Sequence, residues 1–287
     1  MIIRDLFAKC YESHWNKPRY VDSGWAQEVK NLYEKNIKAA FGDRDCRELS
    51  AKEIRKWHEG MASRPTAANR SLEVLSRIYS FAEEDEIVSL GANPCRLVHA
   101  FTEKKRSRYG TEEELKKIGE ALREELKAHP REATFCYVVA LTGARPKKLA
   151  ESRWDSIRRE SGHGILVFEG KGTADSGEAE VVVLPGIVLK LLESLPKRED
   201  RLIFGPIDYR PTWERIREKA GCPDLWLRDL RRTFASVGLS QGVGIDKIGE
   251  LLNHRSAQTT KTYARLIPGA RVVAAHQISR KIAVLLS

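Results

Sequence analysis

Apolar residues recur at helical spacing through most of the first hundred positions. Ala68, Leu72, Leu75, Ile78, Tyr79 and Ala82 fall on one face of a helix predicted over about residues 66–87. Further helices are predicted over 22–40 and 50–61, the second opened by Ser50 and Glu53 at capping-box spacing. Asn93-Pro94 then breaks the pattern. A second capping box, Thr111 with Glu114, precedes Leu115, Ile118 and Leu122 and starts a helix over 111–127, with another over 132–142 carrying Phe135, Val138, Val139 and Leu141. Ile165–Phe168 and Glu180–Leu184 read as two strands joined by a long polar loop. Helices return near 186–194, 211–220, 228–240, 245–253 and 257–264, and an amphipathic helix is predicted over 271–286, with Val272, Val273, Ile278, Ile282 and Leu285 on its apolar side. The expectation is a mainly α chain with a small antiparallel β-sheet: a helical domain over 1–102, a linker over 103–110 and an α+β domain over 111–287. No internal repeat or low-complexity segment interrupts it.

Charge refines this division. The 287 residues carry 50 Lys and Arg against 40 Asp and Glu, a net of +10. Residues 1–102 hold 16 basic and 15 acidic side chains, so the remaining 34 and 25 place +9 in residues 103–287. Such a surplus favours a polyanionic partner, nucleic acid above all. The predicted linker, Glu103-Lys-Lys-Arg-Ser-Arg-Tyr-Gly110, is itself basic; contact with DNA phosphates and a solvated joint are both open readings. No apolar run approaches the roughly 20 residues of a membrane helix, and Arg4 and Asp5 stand where a signal peptide would need an apolar stretch. Five widely spaced cysteines make neither a C-x-x-C site nor a disulfide framework, so a reduced, cytoplasmic protein is expected.

Five short stretches carry candidate chemistry. Leu141-Thr-Gly-Ala-Arg145-Pro combines a glycine that permits a sharp turn with a proline suited to a helix's first position, an arrangement that would project Arg145 from a helix–helix junction. Lys171 sits in Gly170-Lys171-Gly172, in the loop between the two strands; nothing about it fits a Walker motif. In Arg228-Asp-Leu-Arg231-Arg-Thr-Phe-Ala-Ser236 the spacing puts Arg228 and Arg231 on one helix face, with Leu230, Phe234 and Val237 packing the other. His254 ends the apolar helix of Leu251-Leu-Asn-His254, and Tyr263 stands in Thr259-Thr-Lys-Thr-Tyr263-Ala. Taken singly, each has an ordinary structural explanation: a capping turn, a solvated lysine, a basic face, a dipole-paired histidine, a packing tyrosine.

In their order and spacing, these stretches resemble the tyrosine recombinases of the phage-integrase family. The family's T-G-x-R-x-x-E is met by Thr142-Gly-Ala-Arg145-Pro-Lys-Lys148, its H-x-L-R-H-T-F-A by Arg228-Asp-Leu-Arg231-Arg-Thr-Phe-Ala235, and its L-L-G-H-x-S-x-x-T-T-x-x-Y by Leu251 through Tyr263. A weaker resemblance to the family's helical core-binding domain lies in Ala68-Asn-Arg-Ser-Leu-Glu-Val-Leu-Ser and Asn93-Pro-Cys-Arg96, so the likeness spans about residues 5–265. It implies a site-specific recombinase or integrase built as a C-shaped clamp of core-binding and catalytic domains on duplex DNA. It implies further that Arg145 and Arg231 grip the scissile phosphate with Arg228 as a third donor, that Tyr263 attacks to form a 3′-phosphotyrosyl bond, that Lys171 protonates the leaving 5′-oxygen and that His254 hydrogen-bonds the phosphate. Four protomers on two DNA sites follow from the same likeness, and the tail helix would dock on a neighbour or on its own domain. No metal and no cofactor is implied.

Two positions depart from the pattern: Lys148 replaces the first motif's acid and Arg228 the second motif's histidine. Asn253 for glycine is milder, because asparagine also tolerates the left-handed conformation that ends helices. The departures leave two alternatives beside a recombinase. One is a catalytically weakened DNA-binding regulator; the other is a type IB topoisomerase-like enzyme, against which the short third motif and helical first domain argue.

Overall fold

The computed structural model of the chain describes residues 1–104, 106–160, 162–168 and 179–254. Lys171, Tyr263 and the helices expected over 257–264 and 271–286 lie outside them. The fold divides into two compact units at residues 105 and 106, each with its own core.

The first unit is helical throughout. α1 (Ile3–Cys10) runs into a π-helical turn (Tyr11–Trp15), followed by α2 (Pro18–Ser23), α3 (Trp25–Leu32), a second π-turn (Tyr33–Ile37) and α4 (Lys38–Phe41). The expected helix over 22–40 is therefore interrupted: Gly24, with φ of +80°, caps α2 in a left-handed conformation that a side chain would strain. The helices ahead of residue 22 were not anticipated, because only Ile3, Leu6 and Cys10 mark α1's buried face and eight residues are too few for a clear period. α5 (Ala51–Glu59) starts at the Ser50/Glu53 capping box, both halves of which form. α6 (Pro65–Glu84) buries Ala68, Leu72, Leu75, Ile78, Tyr79 and Ala82, the face its spacing marks. Phe7 stacks on Tyr33 with ring centroids 3.7 Å apart, sealing α1 to the second π-turn. Leu75 and Ile78, both fully buried, each contribute about 1.5–3 kcal/mol through removal from water.

The second unit opens with α7 (Glu112–Ala128) at the Thr111/Glu114 capping box. α8 (Pro130–Thr142) follows and is its axis: Phe135, Cys136, Val138 and Val139 are fully buried, and the helix is apolar on most sides because elements surround it. α9 (Pro146–Ala150) leads to β1 (Ile157–Glu160), β2 (His163–Phe168) and β3 (Glu180–Pro185), an antiparallel sheet in the order β1-β2-β3. Two strands were expected and three are present: Ile157-Arg-Arg-Glu160 is a short edge strand whose single apolar residue carries no alternation. Leu166, Val182 and Leu184 face the core beside Ile203, Phe204, Trp213 and Ile216. α10 (Gly186–Glu193), α11 (Arg210–Lys219), α12 (Leu230–Ser240) and α13 (Ile245–Leu251) complete the described part. α12 starts later than expected, after a 3-10 turn (Leu227–Asp229), so Arg228 precedes the helix instead of sharing a face with Arg231, and Val237 is 42% exposed instead of packed.

The basic segment before α7 is anchored at both ends within its own unit. Glu103 accepts hydrogen bonds from Thr66 and Asn69 of the first unit. In the second, Arg108 pairs with Glu114 and Asp224, and the Gly110 N–H donates to Thr233 Oγ1 at 2.8 Å.

Candidate active site

The turn between α8 and α9 is shaped by its residues. The Thr142 hydroxyl donates to the Val138 carbonyl at 2.6 Å and accepts from the Ala144 N–H at 3.2 Å, closing the end of α8. Gly143 has φ of +65°, and a Cβ there would stand 2.7 Å from Leu252 Cδ2 and 3.0 Å from Phe234 Cδ1. The absent side chain thus lets α12 and the end of α13 close on the turn. Arg145 is the extended N-cap of α9, and Pro146 occupies the first helical position, where its missing N–H costs nothing.

Arg231 ties the first and third motifs together. From α12, its Nη1 donates to the Gly143 carbonyl at 2.9 Å and its Nη2 to the Leu252 carbonyl. Leu252 is fully buried, and Asn253 follows in the left-handed region with φ of +48°. The Asn253 amide then behaves as a piece of strand: its Nδ2 donates to the Val181 carbonyl at 2.6 Å and its Oδ1 accepts the Val181 N–H at 2.9 Å. This fastens the third motif to β3. Arg145 closes the circuit, pairing with the Glu180 carboxylate through Nη1 and reaching the Asn253 carbonyl at 3.4 Å through Nη2.

His254 completes the cluster, its backbone N–H donating to the Gly249 carbonyl at 3.0 Å. Burial, with the Arg231 and Arg145 guanidiniums behind it, pushes the imidazole down to about 4. At neutral pH it is an uncharged ring with one donor and one acceptor nitrogen beside two permanent cations. The expected residues Arg145, Arg231 and His254 are thus brought together.

Arg228 has a different neighbourhood. Its guanidinium lies 4.2 Å from the centroid of the Trp226 ring, which also carries Arg106 at 4.1 Å. Trp226 and Arg106, in turn, are held by Asp229, a fully buried carboxylate between Arg228 and Arg231 in the second motif. Asp229 accepts from Arg106 Nη2 at 2.7 Å, Arg232 Nη1 at 2.8 Å and the Trp226 N–H at 3.0 Å. Lys148 turns away to Glu151 at 3.6 Å and to the Phe168 ring at 6.0 Å. Glu180, Asp229 and Arg106, neighbours of these motif residues, stand at positions that no sequence motif marks as functional. Only Asp229 had a local signal, a carboxylate inside an arginine-rich motif.

Among the described residues no group of three or more His, Cys, Asp and Glu could hold a metal ion, and no helix is long and apolar enough to cross a membrane. The arrangement suits an anion: two forked cations and a neutral imidazole converge from three separated segments, and such forks match phosphate oxygens.

Known proteins share this chain's sequence pattern and fold. The phage integrase family model matches residues 108–268, more than half of the chain. A prophage phiRv2 integrase of Mycobacterium tuberculosis strain H37Rv is 26% identical over 307 aligned positions, covering 96% of this chain and 77% of that protein. An integrase of Mycobacterium phage FRAT1 is 25% identical, covering 88% of this chain and 82% of that protein. A crystal structure of a lambda integrase dimer bound to a COC′ core site shares the fold with a TM-score of 0.70 at 16% identity, over 92% of this chain and 95% of that one. With the motif residues Arg145, Arg231 and His254 gathered in one cluster, the chain belongs to the phage integrase family of site-specific tyrosine recombinases.

Proposed function

We propose that this recombinase cuts and rejoins duplex DNA through a 3′-phosphotyrosyl intermediate, using Tyr263 as nucleophile. The observation that carries the reading is the convergence of Arg145, Arg231 and His254. A phosphodiester is anionic, and attack adds charge to its non-bridging oxygens, which Arg145 and Arg231 neutralise. A tyrosine phenol is ordinarily protonated at neutral pH; cations gathered at the phosphate favour the Tyr263 phenolate, and its proton passes to water as the oxygen attacks. Its oxygen bonds to phosphorus while the bond to the 5′-oxygen breaks; Lys171 gives the departing alkoxide its proton. His254, uncharged before DNA arrives, donates a hydrogen bond to the phosphate. Arg228, over Trp226 at the base of the same motif, serves as a further phosphate contact. The phosphotyrosyl bond keeps the energy of the broken one, so a second 5′-hydroxyl reverses the step on a new partner, with the tyrosine recovering its proton. The first unit, helical throughout, contributes to DNA binding alongside the catalytic unit. Four protomers on two sites exchange strands, a stoichiometry that a lambda integrase tetramer bound to a Holliday junction supports.

The test is covalent capture. A random-sequence pool of nicked duplexes is incubated with the protein in excess chelator and resolved under denaturing conditions. Wild type should retain DNA, and Tyr263→Phe should bind the recovered duplex without retaining it. Adduct formation by Tyr263→Phe, or capture that requires a divalent ion, would contradict the reading.

A further inference from the structure

The Arg145 guanidinium meets a carboxylate from an unexpected direction. Arg145 is the N-cap of α9, so a carboxylate at the third residue of that helix would stand one turn away, on the same side. That position is Lys148, whose ammonium pairs with Glu151 instead. The carboxylate comes from Glu180, the first residue of β3 and 35 positions along the chain. Its backbone is held in turn: the next residue, Val181, exchanges two hydrogen bonds with the Asn253 side chain, and the Asn253 carbonyl accepts from the second arm of Arg145. Each nitrogen arm of the guanidinium therefore meets an acceptor whose position depends on the other. The Glu180 side chain is 26% exposed and that of Arg145 43%, so the pair sits at the mouth of the cluster, open to an arriving phosphate.

We propose that Glu180 is a positioning residue for strand transfer, setting the orientation of the Arg145 fork from β3 in place of a carboxylate on α9. The role rests on the phosphotyrosyl reading given above. Arg145 has a long side chain with many rotamers, and an unheld fork meets the phosphate in few of them. Misplacing a catalytic group by about 1 Å can cost on the order of 10²-fold in rate. The carboxylate also opposes DNA electrostatically, so its retention favours rate over affinity.

The experiment uses the full-length protein and a single nicked duplex recovered as a covalent adduct by wild type from a random-sequence pool. Adduct rate at saturating duplex and duplex affinity are measured separately for wild type, Glu180→Gln, Lys148→Glu and the double variant. Glu180→Gln should lower the saturated rate by about 10–100-fold, with affinity unchanged or tighter. The double variant should recover most of that loss, because a carboxylate returns to Arg145 from α9; a purely structural defect in β3 would not respond to Lys148→Glu. A Glu180→Gln rate equal to or above wild type would show the carboxylate to be idle or a competitor of the phosphate and would overturn the proposal. So would a loss shared equally by rate and affinity with no recovery in the double variant. A wild type that retains no DNA would sink the phosphotyrosyl reading itself and the role of Glu180 with it, whereas active wild type with an unaffected Glu180→Gln removes the second alone.

Discussion

At position 143 the tolerance is a single hydrogen. Gly143→Ala would place a methyl 2.7 Å from Leu252 Cδ2 and hold an L-residue at φ of +65°, so unfolding stability should fall by about 1–3 kcal/mol in a denaturant titration. Its position was readable from the motif, but the reason for it was not: Leu252 and Phe234 lie about a hundred residues downstream. His254 gives a pH dependence. Its folded-state value, about 4, lies below the ordinary 6.5, so the unfolded chain binds the extra proton more readily. The stability this contributes is present above pH 6.5 and is lost as pH falls from there toward 4. Replacing His254 by Asn should flatten that part of the acid-unfolding curve, and an unchanged curve would contradict a neutral buried imidazole. In the sequence His254 was a family position at a helix end. Its depressed pKa comes from burial and two arginines brought in by the fold, which linear spacing does not show.

Elements were legible where local chemistry defines them. The Ser50/Glu53 and Thr111/Glu114 boxes start α5 and α7 at the expected residues, because a capping box is satisfied within four positions. α6 was readable through twenty residues of sustained period. β1 was not, because an edge strand of four residues with two arginines has no alternation to read. The start of α12 was missed for another reason. Asp229 takes the Trp226 N–H and two arginine side chains, and that tertiary demand bends Leu227–Asp229 into a 3-10 turn. Asp229 is fully buried, so removing its charge strands Arg106 and Arg232. Asp229→Asn should cost roughly 2–3 kcal/mol in denaturant unfolding, less than a fully enclosed pair because both arginines are about 30% exposed. A loss under about 0.5 kcal/mol would show the turn to be held by packing alone.

For the whole molecule, the charge division seen in the sequence falls close to the structural one: +1 over residues 1–102 and +9 beyond, against units that part at 105 and 106. The three-motif cluster was legible in outline, since order and spacing survive folding. The circuit through Glu180 and Asn253 was not, because it joins positions 35 to 108 residues apart by side-chain contacts that no local pattern encodes. A DNA-binding recombinase carrying this charge should lose affinity steeply with salt: neutralising about 6–10 phosphates predicts a fall of roughly 10³–10⁵ between about 50 and 200 mM salt, read by titration of a captured duplex. A flat response would place the +9 outside the DNA contact. The central claim is that Tyr263 carries the broken strand. It is tested most directly by digesting the covalent adduct and sequencing the peptide that holds the nucleotide by mass spectrometry. One nucleotide-bearing peptide is expected, containing Tyr263, joined through oxygen to a 3′-phosphate; attachment at any other residue, or through a 5′-phosphate, would contradict the role of Tyr263.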